Sequence, residues 1–413
     1  MKIFVWKSTN TPLKKSYSPE IQNDLRTSTK YSTVLQVMSC IGIDIGEKSK
    51  AALPSTIAMR LIGVFVAFLF HLSTIDYLFM SYRNLALHWE DYQVVISLLL
   101  SNTCSLALWH VMHSRKKSLK ILIRRMKSMS DGLYVISTLE KSMLDLAIFF
   151  GLFVLPITFS VISAYLMVTH DPYAYQAFYT YGYKITNVTT SFYLYLFLKI
   201  LSTCLLDPIF VSCVTFVYCV LCRRSCRLLS EYRKKLVQLL KSPNEPSNES
   251  LSKLTHDYSK ICRILEKLQC SFSLPTFLMT IIDSMSSFTL LASALLYTPG
   301  EYTGPVIAEN VYIFVTSSWL LVATIACAAR IPIEMNKIRN CFQMMQEKAL
   351  IAQQSLDGLN VRLLQSLKDR PVIVLSGCEI IYFTRVTILS ALGTLFTYGL
   401  LIIQLKGDSK TSK

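Results

Sequence analysis

The side chains of this sequence able to do chemistry are six histidines, twelve cysteines and a few polar groups set inside apolar runs. His71, His88, His110, His113, His170 and His256 are scattered, with no spacing that groups them as metal ligands or beside a nucleophile. The cysteines (Cys40, Cys104, Cys204, Cys213, Cys219, Cys222, Cys226, Cys262, Cys270, Cys327, Cys341 and Cys378) lack the spacing with partner histidines that a zinc site shows, although Cys222 and Cys226 stand one helical turn apart. Reduced structural thiols are the expectation, with no enzyme and no metal or cofactor. Lys199, Asp283, Thr397, Tyr398 and Gln404 remain, polar groups in otherwise apolar stretches. Lys199 either lines a pathway or pairs with a neighbouring helix, and Asp283 either binds a cation or pairs. Thr397 and Gln404 fall on nearly one helical stripe, with Leu401 between them. The Gln404 carboxamide has two donors and an acceptor to satisfy, and lipid offers no partner. It therefore faces another helix or a water-filled pore, and spacing leaves both open.

The elements that must position these groups are membrane helices. Of 413 residues, 52% are hydrophobic and 16% charged, and mean hydropathy is +0.41, more apolar than a soluble core requires. The first forty residues hold no apolar core near Met1, so no signal peptide is read there, and 1–60 is expected to be a cytoplasmic segment. Spans are expected at 61–80, 93–112, 144–168 and 191–221, the fourth long enough to project beyond the bilayer on the inner side. Residues 222–272 are basic and amphipathic. Leu228, Leu229, Tyr232, Leu236 and Leu239 make one apolar face and Leu254, Tyr258, Ile261, Leu265 and Leu268 another, which predicts two helices around the polar turn at 242–246. Spans five and six are expected at 274–297 and 310–329. Over 330–379 polarity returns, with an apolar stripe of Ile333, Ile338, Phe342 and Met345 and breaks at Gly358 and Pro371. The amphipathic faces of these two inner segments are expected to pack together as the main contact between subunits. The seventh span is expected at 380–405 and a tail at 406–413. The fold class is thus an all-α membrane protein with seven transmembrane helices, grouped as 61–221, 273–329 and 380–405 around an anchor of 222–272 and 330–379.

A net charge of +16 would fit nucleic acid, but the membrane explains its placement. Of the 42 lysines and arginines, 35 fall in 1–60 and in the segments after the even-numbered spans. The positive-inside rule then puts the N-terminus in the cytosol and the C-terminus outside, with no nucleic-acid partner. The sequon at Asn187 falls on the outer side and is a glycosylation candidate, whereas the one at Asn248 falls inside. This orientation opposes a G-protein-coupled receptor, the nearest alternative. The third span also ends without an acidic-Arg-Tyr triplet, and the last holds no Asn-Pro pair followed by Tyr. A transporter would show paired broken helices or an internal repeat, and neither is seen.

Thr397, Tyr398, five mostly aliphatic residues from Gly399 to Ile403, then Gln404 and Leu405 resemble the C-terminal signature of insect gustatory receptors, Thr-Tyr, five hydrophobics, Gln-Phe. Ser376-Gly377-Cys378 resembles the small-residue segment that leads into that family's last helix. Leu405 stands where Phe is usual, and Gly399 puts a helix-weakening residue where a larger apolar one is common. The resemblance implies a multi-pass plasma-membrane receptor, a homotetramer or heterotetramer with related receptors, acting as a ligand-gated non-selective cation channel for small tastants. Its partners would be tastant, permeating cations and membrane lipid. It assigns pore and gate to Thr397, Tyr398, Leu401, Gln404 and Leu405: four Gln404 amides would replace part of a cation's hydration, and rings of Leu401 and Leu405 would block conduction by dewetting. It also implies a ligand pocket in the outer half of spans two to six, where the aromatic and hydroxyl candidates are Tyr92, Tyr165, Tyr193, Tyr195, Ser293, Tyr297, Tyr312, Thr316 and Trp319. Short outer loops favour a small ligand over a peptide. Gly399 and Leu405 look less like the sugar-responsive branches, so a bitter or deterrent plant compound is favoured and a sugar is the alternative.

Overall fold

The computed structural model describes Met38, Ile43 and residues 53–87, 92–132, 154–170, 189–241, 248–296, 304–351 and 358–387, with 389–391, 393, 394 and 397 beyond them. In chain order the helices are α1 (Leu53–Leu87), α2 (Tyr92–Ser114), α3 (Lys116–Gly132), α4 (Leu155–His170), α5 (Thr190–Lys241), α6 (Asn248–Leu296), α7 (Gly304–Ile351) and α8 (Gly358–Lys368). A two-stranded antiparallel hairpin follows, β1 (Ser376–Gly377) and β2 (Ile381–Tyr382), and leads into a last helix whose described residues run from 385 to 397. Among the described residues the chain is all-α apart from that hairpin.

The faces of α1 identify its surroundings. Leu61, Phe65, Phe68, Leu72, Ile75, Phe79 and Tyr82 recur every three or four residues and are exposed, while Phe70, Thr74, Tyr77 and Ser81 on the other face are buried. An apolar stripe of that length is a lipid face rather than a water face. From Leu61 to Tyr82 the helix rises about 32 Å, matching a hydrocarbon layer of about 30 Å. Among the described residues, Gly63–Arg83, Ile209–Lys241 and Val311–Lys348 are long and apolar enough to cross a membrane. The expected spans 61–80, 93–112, 191–221 and 310–329 lie inside α1, α2, α5 and α7. α6 contains 274–296, and α4 contains 155–168.

The expected boundaries at 222, 273 and 330 are not breaks in the chain. α5, α6 and α7 each join an apolar half to a basic half without interruption, the basic half coming second in α5 and α7 and first in α6. The basic run after the second span is itself a helix, α3, which seats Leu119, Leu122, Ile123 and Met126 in the core and packs on α5 and α6.

The core of the basic region is an aromatic knot. Tyr232 of α5 stacks on Tyr258 of α6 at 5.4 Å between ring centroids, and Phe342 of α7 meets Tyr258 edge-on at 5.6 Å. Leu236 and Leu265 are 0% exposed and Phe342 1%. The predicted amphipathic faces are therefore real, but their partners lie in the same chain. That corrects the expectation of an intersubunit contact at these residues, since nothing of Leu236, Leu265 or Phe342 is left for a neighbour. Burial within this knot pushes the Tyr258 phenol well up, keeping it neutral.

Three prolines sit deep inside helices, Pro208 in α5, Pro275 in α6 and Pro332 in α7. Pro275 has no N–H, so the Ser271 carbonyl four residues earlier loses its helical donor. Arg115, at the turn between α2 and α3, supplies the replacement: its Nη1 donates to Ser271 O at 3.0 Å and to the adjacent Cys270 O. Ser118 reinforces the junction through a hydroxyl pair with Ser271 at 2.8 Å. Other basic residues serve helix ends in the same way. Arg339 donates to Lys368 O and Arg370 O beyond the end of α8, and Lys348 donates to Leu240 O near the end of α5.

Candidate functional site

The last helix begins at 385 rather than at the expected 380, because Ile380 lies in a turn and Ile381 and Tyr382 are strand. The start is set by a cap. Thr384 precedes the first helical residue, and its N–H donates back to Thr387 Oγ1 at 3.3 Å while the two hydroxyls sit 3.0 Å apart. Upstream, Ser376-Gly377-Cys378 is fastened to α6. Gln269 donates to Ser376 O at 3.0 Å and accepts from Ser376 N–H at 2.9 Å, so its carboxamide pairs with the backbone as a neighbouring strand would. Ser273 Oγ accepts from Cys378 N–H at 2.9 Å. Gly377 is required here: a Cβ on it would lie 3.1 Å from Phe277 Cα of α6. The small-residue signature thus has a physical reason, close approach of the hairpin to a helix.

The turn is a tight one. Ile380 N–H donates to Gly377 O at 3.0 Å, and both central residues, Cys378 (φ 52°) and Glu379 (φ 60°), are left-handed without being glycine. Two such residues in succession hold the entry to the last helix in a strained conformation.

Beyond the cap, Ser390, Thr394 and Thr397 share one face of the last helix and are exposed in the isolated subunit. Their hydroxyls are parked on the backbone: Thr394 Oγ1 donates to Ser390 O and Thr397 Oγ1 to Gly393 O, both at 2.8 Å. Val386 and Leu389 are exposed as well. Continued at the same spacing, the hydroxyl stripe reaches Leu401 and Gln404. Tyr398, Leu401, Gln404 and Leu405 lie outside the described residues, as does Asn187. Ser390 and Thr394 were not singled out by the sequence reading, which stopped at the Thr-Tyr pair, although their spacing from Thr397 was available.

The pocket candidates divide. Tyr312 (4% exposed) and Thr316 (9%) turn inward on successive turns of α7, with Thr316 Oγ1 donating to Tyr312 O at 2.8 Å. Tyr193 is half-buried. Tyr165 (61%) and Trp319 (49%) stand on the outer surface of the subunit, and Tyr195 is also exposed. The side chains of Tyr92 and Ser293, and all of Tyr297, lie outside the described residues. α4 packs on both α5 and α7, so Tyr193, Tyr312 and Thr316 belong to helices that meet. The structure adds a pair that sequence spacing could not find: Lys199 of α5, 7% exposed, reaches Asp76 of α1 at 3.3 Å and lies 5.9 Å from the Tyr195 ring centre. Asp76 was visible as the one acidic residue of the first span, but its partner is 123 residues away. Lys199 therefore pairs, and Asp283 is buried within the bundle at 3%. The described cysteines are free thiols.

No protein-family model matches the sequence, and no curated protein matches it. Solved structures do. The insect olfactory receptor OR5 from Machilis hrabei in complex with eugenol superposes with a TM-score of 0.70 at 13% identity, over 94% of this chain and 100% of that one. A second structure of the same receptor gives a TM-score of 0.65 at 12% identity and the same coverage. With so little identity over so complete an overlap, what is shared is the path of the backbone: this chain has the fold of the insect olfactory receptor.

Proposed function

We propose that this chain is one subunit of a tetrameric ligand-gated cation channel of the plasma membrane, a gustatory receptor for small bitter or deterrent plant compounds. The observation that carries the reading is the exposed hydroxyl face of the last helix, which runs into the Thr397, Tyr398 and Gln404 signature. Thr and Ser hydroxyls turned away from their own subunit suit a wet surface shared by several copies. Four copies around an axis give a pore lined by Ser390, Thr394 and Thr397, a polar ring at Gln404 and apolar rings at Leu401 and Leu405. The fold of a receptor solved with eugenol supports a small organic ligand, and Tyr193, Tyr312 and Thr316 are the pocket candidates turned into the subunit. A ligand opens such a channel only by binding the open state more tightly than the closed one.

The test is expression in cells without other taste receptors, with currents recorded against a panel of alkaloids and sugars. A current evoked by alkaloids, altered divalent block in Gln404→Glu and raised basal current in Leu405→Ala are the expected results. Four carboxylates in one ring would bind a divalent ion or share protons, and a smaller side chain would wet the apolar ring. A surface-expressed receptor with ligand-evoked current in which both variants behave as wild type would remove the last helix from the pore.

A further inference from the structure

We propose that His71 of α1 and His110 of α2 form a binding site for a divalent transition-metal ion of the zinc and copper class, bridging the two helices. The residues are 39 apart in sequence, and the antiparallel packing of α1 and α2 brings their Nε2 atoms to 3.4 Å. That separation admits two readings, a hydrogen bond between the rings and a shared metal ion. An N–H donor and its acceptor normally sit about 2.7–3.2 Å apart. Two imidazole nitrogens bound to one tetrahedral metal at about 2.0–2.1 Å each stand about 3.3–3.4 Å apart. The observed gap is long for the first and fits the second.

Orientation agrees with distance. His71 Nδ1 donates to Ala67 O, one turn earlier, at 2.7 Å. This fixes the tautomer with the proton on Nδ1 and leaves the Nε2 lone pair pointing at His110, the backbone arrangement that holds metal-binding imidazoles in place. Trp109 lies edge-on to both rings, 4.6 Å from His71 and 5.1 Å from His110, and fixes their planes. Lys116, the nearest cation recorded in the cluster, is 3.0 Å from His113 Nε2 and so is engaged outside the gap. His113 is itself stacked on Trp109 at 5.1 Å.

Among the described residues no three His, Cys, Asp or Glu side chains converge, so the protein supplies two ligands and water or an incoming group fills the rest. Such a site binds reversibly, and its His110 ligand lies at the surface of the subunit. His71 lies about 24 Å below the α1 end and His110 about 27 Å beyond the start of α2. Both therefore sit at one level, which along α1 is about 15 Å from Leu61 and about 17 Å from Tyr82, inside the apolar stripe. An ion there ties the first two spans together.

The test uses the full-length protein in lipid nanodiscs, titrated with Cu2+ alone and then with Zn2+ as competitor. Bound Cu2+ should quench the Trp109 fraction of the fluorescence, a fraction identified with Trp109→Phe, and its electron paramagnetic resonance spectrum should report two coupled imidazoles. His71→Ala and His110→Ala should each raise the half-saturating concentration by at least about tenfold, while His256→Ala on the exposed face of α6 should not. Because His110 is exposed, its variant decides the question even where His71→Ala accumulates poorly. One imidazole in the spectrum, or an unchanged half-saturation in His110→Ala, would overturn the site.

Discussion

Cys378 and Glu379 hold left-handed backbone that neither side chain favours, at about 1–2 kcal/mol each. Replacing Glu379 with Gly removes the Cβ conflict but also loosens the unfolded chain, so the net expected gain is a fraction of that, about 0.5–1 kcal/mol. Gly377→Ala, two residues earlier, has the opposite sign. Its new methyl meets the backbone of α6 at Phe277, which cannot move aside as a side chain could, and a loss of about 1–3 kcal/mol follows. Thermal melting of the two purified variants checks both, and equal shifts in one direction would contradict the turn geometry. Arg115 gives a third test at this scale. In Arg115→Ala the Ser271 carbonyl has neither its helical donor, lost to Pro275, nor the guanidinium. A buried acceptor stripped of its donor costs about 1–3 kcal/mol. Combining it with Pro275→Ala restores an N–H at that position, so the double variant should be less destabilised than the sum of the two singles.

At the scale of elements, the knot of α5, α6 and α7 behaves as the interior of one subunit. Leu236→Asn would exchange a fully buried side chain for an unsatisfied amide and lower subunit stability by about 3 kcal/mol or more. The expected readout is a fall in melting temperature of whatever oligomer forms, with no folded monomer released on native gels. Intact monomer would show instead that the leucine holds copies together. The apolar stripes that make this knot were legible in sequence, because 3.6-residue periodicity fixes a face. Their partner was not, because periodicity says that a face is covered and never by which chain. The same limit explains other misses. Pairing between Lys199 and Asp76, or His71 and His110, depends on which helices lie side by side, and no spacing encodes that across 123 or 39 residues. The hairpin before the last helix was hidden for another reason. Ile380, Ile381 and Tyr382 are as apolar as the span that follows, so hydropathy merged them into it, while the left-handed turn at Cys378 and Glu379 carries none of the Gly or Asn that marks such turns.

For the whole molecule, the expected orientation in the membrane rests on charge. The fold fixes how the helices follow one another but not which end meets the cytosol. Charge argues for one orientation: 35 of the 42 lysines and arginines fall in 1–60 and in the segments after the expected even-numbered spans, and moving short basic segments across the bilayer is opposed. The structure adds a mechanical reason for the bias to be stable. Arg115, Arg339, Arg370 and Lys348 are not loose surface charges, since each donates to backbone or hydroxyl oxygens that bind the basic halves of the helices together. Reversing the protein would carry a folded, charged bundle to the outer face. An epitope tag placed after Lys413 is therefore expected to stain on intact cells, and one placed before Met1 only after permeabilisation. The opposite pattern, with both tags verified by blotting, would reverse the orientation, place Asn187 in the cytosol and turn the side of the proposed ligand pocket inward. Glycosidase sensitivity reports independently, because an outward Asn187 can carry a glycan and Asn187→Gln would then abolish the mobility shift.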